Sequence, residues 1–167
     1  SNGCAMAQRL AMESSHIFAA VGCMSFYLLM TPVNTYSPIP IMEVHGFLDQ
    51  VVLYESSVLS VPTNPESWTD PEAVQTGAIE NLYEWAELNG CTGLSPDYND
   101  QQPLYSIQGF SNCENNSQVR LMTIFGAQHN PYAKDYPGEG PGMLLPGTQG
   151  LVQSSYVVWD FLSQFSK

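Results

Sequence analysis

Positive charge is what this sequence has least of. Four Lys and Arg stand against 16 Asp and Glu, for a formal net charge of -12. Such a surface repels the phosphates of nucleic acid and of anionic lipid, so no nucleic acid and no membrane is expected as a partner. Histidine is scarce as well: the chain has three and no Cys-x-x-Cys, which argues against a zinc site. Asp97, Asn99 and Asp100 lack the glycine and terminal glutamate that a calcium loop requires, so they read as a solvated loop. No metal or cofactor is expected. No apolar run approaches the length of a membrane span. Internal repeats and low-complexity tracts are absent from the sequence.

What is present describes a globular chain. With 167 residues, 44% of them apolar, it is long enough for one domain with a substantial core. The four cysteines allow three pairings. Cys91 and Cys113 flank a polar, Pro- and Asn-rich loop of the kind a disulfide closes. Cys4, on a first helical turn, and Cys23, at the end of the next apolar run, are candidates for neighbours. Asn115 heads an Asn-x-Ser glycosylation sequon. Cysteines and sequon together point to a secreted or luminal compartment.

The hydrophobic pattern alternates between helix and strand. Met6, Ala7, Leu10 and Ala11 recur at helical spacing within 3–15. Phe18 to Met24 is an apolar run suited to a buried parallel strand, Ile41 to His45 is a second strand ended by Gly46, and Val119 to Phe125 is a third ended by Gly126. A helix is predicted from Pro71, capped by Thr69 or Asp70, with Ile79, Leu82, Tyr83 and Ala86 as its stripe and Asn89-Gly90 as its stop. Thr148 to Phe165 reads as a closing amphipathic helix facing inward through Leu151, Val158, Phe161, Leu162 and Phe165. Trp85 and Trp159 are assigned to the core. The segment at about 53–70 is an excursion, 91–116 is loop with room for short strands, and 130–147 is Pro/Gly-rich. The order implies α/β with a small parallel sheet.

Parallel α/β sheets place function at the carboxyl ends of strands. Asp49 lies three residues past Gly46, and His129 three residues past Gly126. Ser1 stands where a nucleophile between a strand and a helix would stand. Serine needs a base to take its proton, histidine suits that task near neutrality, and a carboxylate fixes the imidazole's tautomer. The order Ser, Asp, His is that of α/β hydrolases. His45 reads as a satisfied structural histidine, and His16 as a helix-exit residue.

These pieces resemble, in order, the C-terminal half of the feruloyl esterase and polyhydroxybutyrate depolymerase-like group of α/β hydrolases. Ser1-Asn2-Gly3 with Ala5-Met6-Ala7 is similar to that group's nucleophile elbow and first helical turn, although Cys4 stands where a second glycine is usual. Phe18 to Val21 resembles the following strand. His45-Gly46-Phe47-Leu48-Asp49 is similar to its His-Gly-x-x-Asp acid motif, continued by Val51 to Tyr54. Asn89-Gly90-Cys91 with Cys113 resembles its helix end and disulfide. Gly126-Ala127-Gln128-His129 is similar to its histidine loop, and Trp159-Asp160-Phe161-Leu162 to its closing helix.

The resemblance implies that residues 1–167 form the C-terminal portion of one hydrolase catalytic domain. Its N-terminal strands, and the loop giving a second oxyanion donor, would then lie on the same or a separate chain. It implies ester hydrolysis through an acyl-enzyme with Ser1 as nucleophile, His129 as base, Asp49 as its orienting acid and the Asn2 N–H as an oxyanion donor. The implied substrates are polysaccharide-linked, phenolic or polyester esters. Trp68, Tyr98, Tyr105, Tyr132 and Tyr136, read as loop residues, are equally suited to contact such a substrate or to pack. The competing reading is a non-catalytic, hydrolase-derived structural or binding subunit. An N-terminal-nucleophile amidohydrolase is disfavoured because Ser1 leads into a helical pattern rather than a strand.

Overall fold

The computed structural model describes residues 1–28, 30, 32–55, 77–130, 132–133 and 152–167. Helix α1 (Asn2–Glu13) leads to strand β1 (Val21–Met24) and strand β2 (Ile41–Gly46). Helix α2 (Ala78–Leu88) precedes strands β3 (Tyr98–Gln101), β4 (Tyr105–Phe110) and β5 (Val119–Ile124), and helix α3 (Ser154–Leu162) follows. The sheet has five strands in the order β1-β2-β5-β4-β3. β1, β2 and β5 are parallel, with Val21 opposite Ile41 and Ile41 opposite Val119. β4 runs antiparallel to β5, and β3 antiparallel to β4. The architecture is α/β with a mixed sheet.

Strands β2 and β5 are buried along their whole length. Side chains alternate across a strand, so each strand feeds two cores. Ile41, Val119 and Leu121 pack with Ala11 and Met12 of α1 and with Leu82, Trp85 and Ala86 of α2. Met42, Val44, Met122 and Ile124 pack with Val158 and Phe161 of α3. Each large side chain removed from water in this way contributes roughly 1.5–3 kcal/mol. Gly22 lets α3 close on β1: a Cβ there would come within 2.4 Å of Val158 Cγ1.

Both disulfide pairs form. Cys4–Cys23 ties α1 to β1, and Cys91–Cys113 ties the end of α2 to the segment after β4. Closing loops of 19 and 22 residues stabilises by about 3 kcal/mol each in the chain-entropy account. The buried Gln8 joins the first bridge to α2: its Nε2 donates to the Phe26 carbonyl (2.9 Å) beside both sulfurs, and Trp85 Nε1 donates to its Oε1 (2.6 Å). Two disulfides, and no membrane-crossing helix among the described residues, fit an extracellular protein.

Several sequence expectations need correction. The segment from Cys91 to Asn116, read as loop with room for short strands, contains the β3–β4 hairpin, and its antiparallel pairing means that the sheet is not purely parallel. Strand β1 begins at Val21, not Phe18. Helix α2 begins at Ala78 after an extended Gly77; Thr69, Asp70 and Pro71 lie outside the described residues, as do most of 53–70 and 134–151. Tyr83 of its predicted stripe is exposed, whereas Asn81 and Trp85 point inward. Trp85 is fully buried, but Trp159 is 65% exposed because it lies on the outer side of α3, one residue from the buried Val158.

Candidate active site

The carboxyl ends of the three parallel strands lie side by side, and the three candidate residues stand at that edge. After β2 the chain turns at once: the Asp49 N–H donates to the Gly46 carbonyl (3.1 Å). After β5 it turns at Gly126, whose φ of +72° suits a residue without a Cβ. The two turns are bonded to each other, Phe47 N–H to the Ile124 carbonyl (3.0 Å) and Leu48 N–H to the Ala127 carbonyl (2.9 Å). Gly46 makes that approach possible, since a Cβ there would lie 2.5 Å from the Ala127 oxygen.

This packing brings Asp49 and His129 together across 80 residues of sequence. His129 Nδ1 is 2.8 Å from Asp49 Oδ2, with the carboxylate wholly buried and the imidazole 13% exposed. Asp49 Oδ1 accepts from the Val51 and Val52 N–H groups (2.9 and 2.8 Å). An Asp fixed at both oxygens holds the His129 proton on Nδ1 and leaves Nε2 for a substrate-side partner.

Ser1 precedes α1. Its nitrogen donates to the Met24 carbonyl at the end of β1 (2.7 Å), which places it at the same sheet edge. The Ser1 hydroxyl makes no cap bond to α1, and among the described residues it makes no hydrogen bond to His129. The N–H groups of Asn2 and Gly3 belong to the first turn of α1, where no intrahelical carbonyl reaches them. The structure thus pairs Asp49 with His129 and brings Ser1 to the same sheet edge, with no hydrogen bond to its hydroxyl among the described residues.

Behind Asp49 lies a layer that sequence reasoning did not read as a unit. Glu43 and His45 are fully buried neighbours on one face of β2. His45 Nδ1 is 2.6 Å from Glu43 Oε1, and His45 Nε2 is 2.7 Å from the Val52 carbonyl. His45 is the satisfied structural histidine that was expected. Its carboxylate partner was detectable as two ionisable residues, two apart, in an apolar strand. Asn81 of α2 donates to Glu43 Oε2 (2.6 Å). Tyr132, fully buried, accepts from Gly46 N–H (2.8 Å) and bonds Ser25, joining the ends of β1 and β2 to the segment after His129.

The aromatic candidates divide. Tyr132 packs and does not face outward, while Tyr98 and Tyr105 stand on strands rather than loops. The Arg120 guanidinium lies 4.1 Å from the Tyr98 ring centroid. These two residues line a cavity of about 180 Å³ against α3, apart from Asp49 and His129. Trp68 and Tyr136 lie outside the described residues. Among the described residues, no group of three or more His, Cys, Asp and Glu is arranged to hold a metal.

The chain is similar to a feruloyl esterase. Over 129 residues, 77% of its length, it is 31% identical to Feruloyl esterase B of Piromyces equi, and the match covers 18% of that protein. No family model matches the chain. The similarity is distant and joins the chain to an esterase on sequence alone.

Proposed function

We propose that the protein is a carboxylic ester hydrolase of the serine type, acting on feruloyl or related esters, and that it forms the C-terminal portion of an α/β-hydrolase catalytic domain. The observation that carries this reading is the 2.8 Å bond between His129 Nδ1 and Asp49 Oδ2 at the carboxyl edge of the sheet, beside Ser1 and the open first turn of α1. The similarity to Feruloyl esterase B supports the choice of ester.

In the proposed reaction His129 Nε2 takes the Ser1 hydroxyl proton as Oγ attacks the ester carbonyl. The tetrahedral oxyanion is held by the Asn2 N–H at the positive end of α1. His129 returns the proton to the leaving alcohol, and an acyl-serine remains. Water, activated by the same imidazole, releases the acid and restores Ser1. Asp49 stays ionised throughout and stabilises the imidazolium. In the apo state the serine–histidine bond is commonly open and closes on substrate. The two disulfides suit a secreted or luminal enzyme, and exposed Asn115 is the proposed glycan site.

The test is a fluorophosphonate probe with peptide mapping, alongside hydrolysis of a feruloyl ester. The expected result is an adduct on Ser1 that His129→Ala abolishes, with loss of turnover. A folded protein that takes no label on Ser1 overturns the reading. That result favours the second one, a hydrolase-derived binding subunit, for which the lack of a Ser1–His129 hydrogen bond among the described residues speaks.

A further inference from the structure

Asp49 has two imidazoles on one oxygen, and the proposed triad uses one of them. Oδ2 is 2.8 Å from His129 Nδ1 and 3.5 Å from His45 Nε2. The protons of the second ring can be counted from its neighbours. His45 Nε2 faces the Val52 carbonyl at 2.7 Å. A carbonyl has no proton to give, so Nε2 carries one. Nδ1 faces Glu43 Oε1 at 2.6 Å, a separation that requires one proton between them.

The far side of Glu43 is determined in the same way. The Leu28 N–H donates to Asn81 Oδ1 (3.0 Å), which turns the Asn81 amide nitrogen toward Glu43 Oε2 (2.6 Å). Glu43 Oε2 is therefore an acceptor. Glu43 and His45 together hold two protons and no net charge, arranged with the imidazole between Glu43 and Asp49.

We propose that Glu43 and His45 are positioning residues for Asp49: a buried carboxylate–imidazolium pair whose ring faces Asp49 Oδ2 and holds that carboxylate aimed at His129. The same ring, through Val52, anchors the loop whose N–H groups bind Asp49 Oδ1. This rests on the triad proposed above. Tyr27 stacks on the ring (5.6 Å between centroids, 7° between planes) and Tyr54 meets it edge-on (5.9 Å), so it cannot rotate out of place. Burial opposes a charge on His45, but the bond to Glu43 and the charges of Glu43 and Asp49 outweigh it and raise its proton affinity. Among the described residues, Tyr27, Tyr54 and Tyr132 are further titratable groups facing the pair.

The experiment is imidazole 15N NMR on the whole protein, followed by Glu43→Gln. In the unmutated protein the His45 ring is expected to show both nitrogens protonated across the neutral range. A singly protonated ring would overturn the proposal and leave the triad standing. In Glu43→Gln the ring is expected to lose its Nδ1 proton. Turnover should fall about tenfold to a hundredfold at unchanged KM. The acid limb of the pH–rate profile should move to higher pH, because the positive charge nearest the Asp49–His129 pair is lost. A fall in turnover with an unmoved limb would make the pair merely structural and overturn the proposal. A doubly protonated His45 ring in a protein whose Ser1 is never labelled would overturn the triad instead.

Discussion

The two faces of the sheet are built from the same strands and do different work. Toward α3, β2 and β5 present Met42, Val44, Met122 and Ile124, which pack against Val158 and Phe161, with Arg120 as the charged side chain on that face. Toward α2 the same strands present Ile41 and Leu121 but also Glu43, His45 and Thr123. Each of those three has a side-chain partner: Asn81, Asp49 and Tyr54 respectively, with Glu43 and His45 also bonded to each other. The lesson is a division of labour by alternation. One face is mostly apolar; the other adds a hydrogen-bonded Asn81–Glu43–His45 layer whose ring lies 3.5 Å from the Asp49 carboxylate.

Substitutions on each side sharpen that contrast. The largest effect is expected from His129→Ala, which should lower kcat for ester hydrolysis by about 10³–10⁴-fold, measured by single-substrate kinetics, with the urea midpoint little changed. On the opposite face, Met122→Ala empties a fully buried position and should cost about 2–5 kcal/mol of stability in urea titration, with activity per folded molecule unchanged. Tyr132→Phe leaves the buried Gly46 N–H without its acceptor and should cost about 1–3 kcal/mol in the same assay. Here the junction of the strand ends loosens, so turnover should fall as well.

The smallest effect is a pH dependence confined to the polar face. Folding raises the proton affinity of His45, so its contribution is complete below the ordinary imidazole range and fades as pH rises through the higher folded value. Stability should therefore decline above neutrality, by at most about 1.4 kcal/mol per pH unit, in urea titrations at successive alkaline pH values. Glu43→Gln should flatten that slope, and Met122→Ala should leave it intact.

Much of the fold was legible because its central strands are apolar runs ended by glycine. Ile41–Gly46 and Val119–Ile124 stand where the pattern put them. Short strands were allowed for in 91–116, but their pairing as the β3–β4 hairpin was not legible. Tyr98–Gln101 is an exposed edge strand of polar residues, and Gly109 in β4 looks like a breaker. It is instead a point of close approach, since a Cβ there would meet the Val119 carbonyl oxygen at 2.0 Å. In the site, Asp49 and His129 could be named from strand ends alone. The Glu43–His45–Asn81 layer could not, because Asn81 comes from a helix 36 residues beyond His45, and a sequence does not reveal which helix covers which strand.

The sequence by itself determined the local alphabet of the molecule. Alternation and glycine placed the parallel strands and their turns, and the turns carry a carboxylate and an imidazole, because hydrophobic period and turn chemistry are short-range properties. Only the tertiary structure decided that Gly46 brings the two turns into contact, that His45 shares Asp49 with His129, and that Cys4 pairs with Cys23. Those are meetings between distant segments. They are settled by which surfaces exclude water together and by which buried polar groups then find partners.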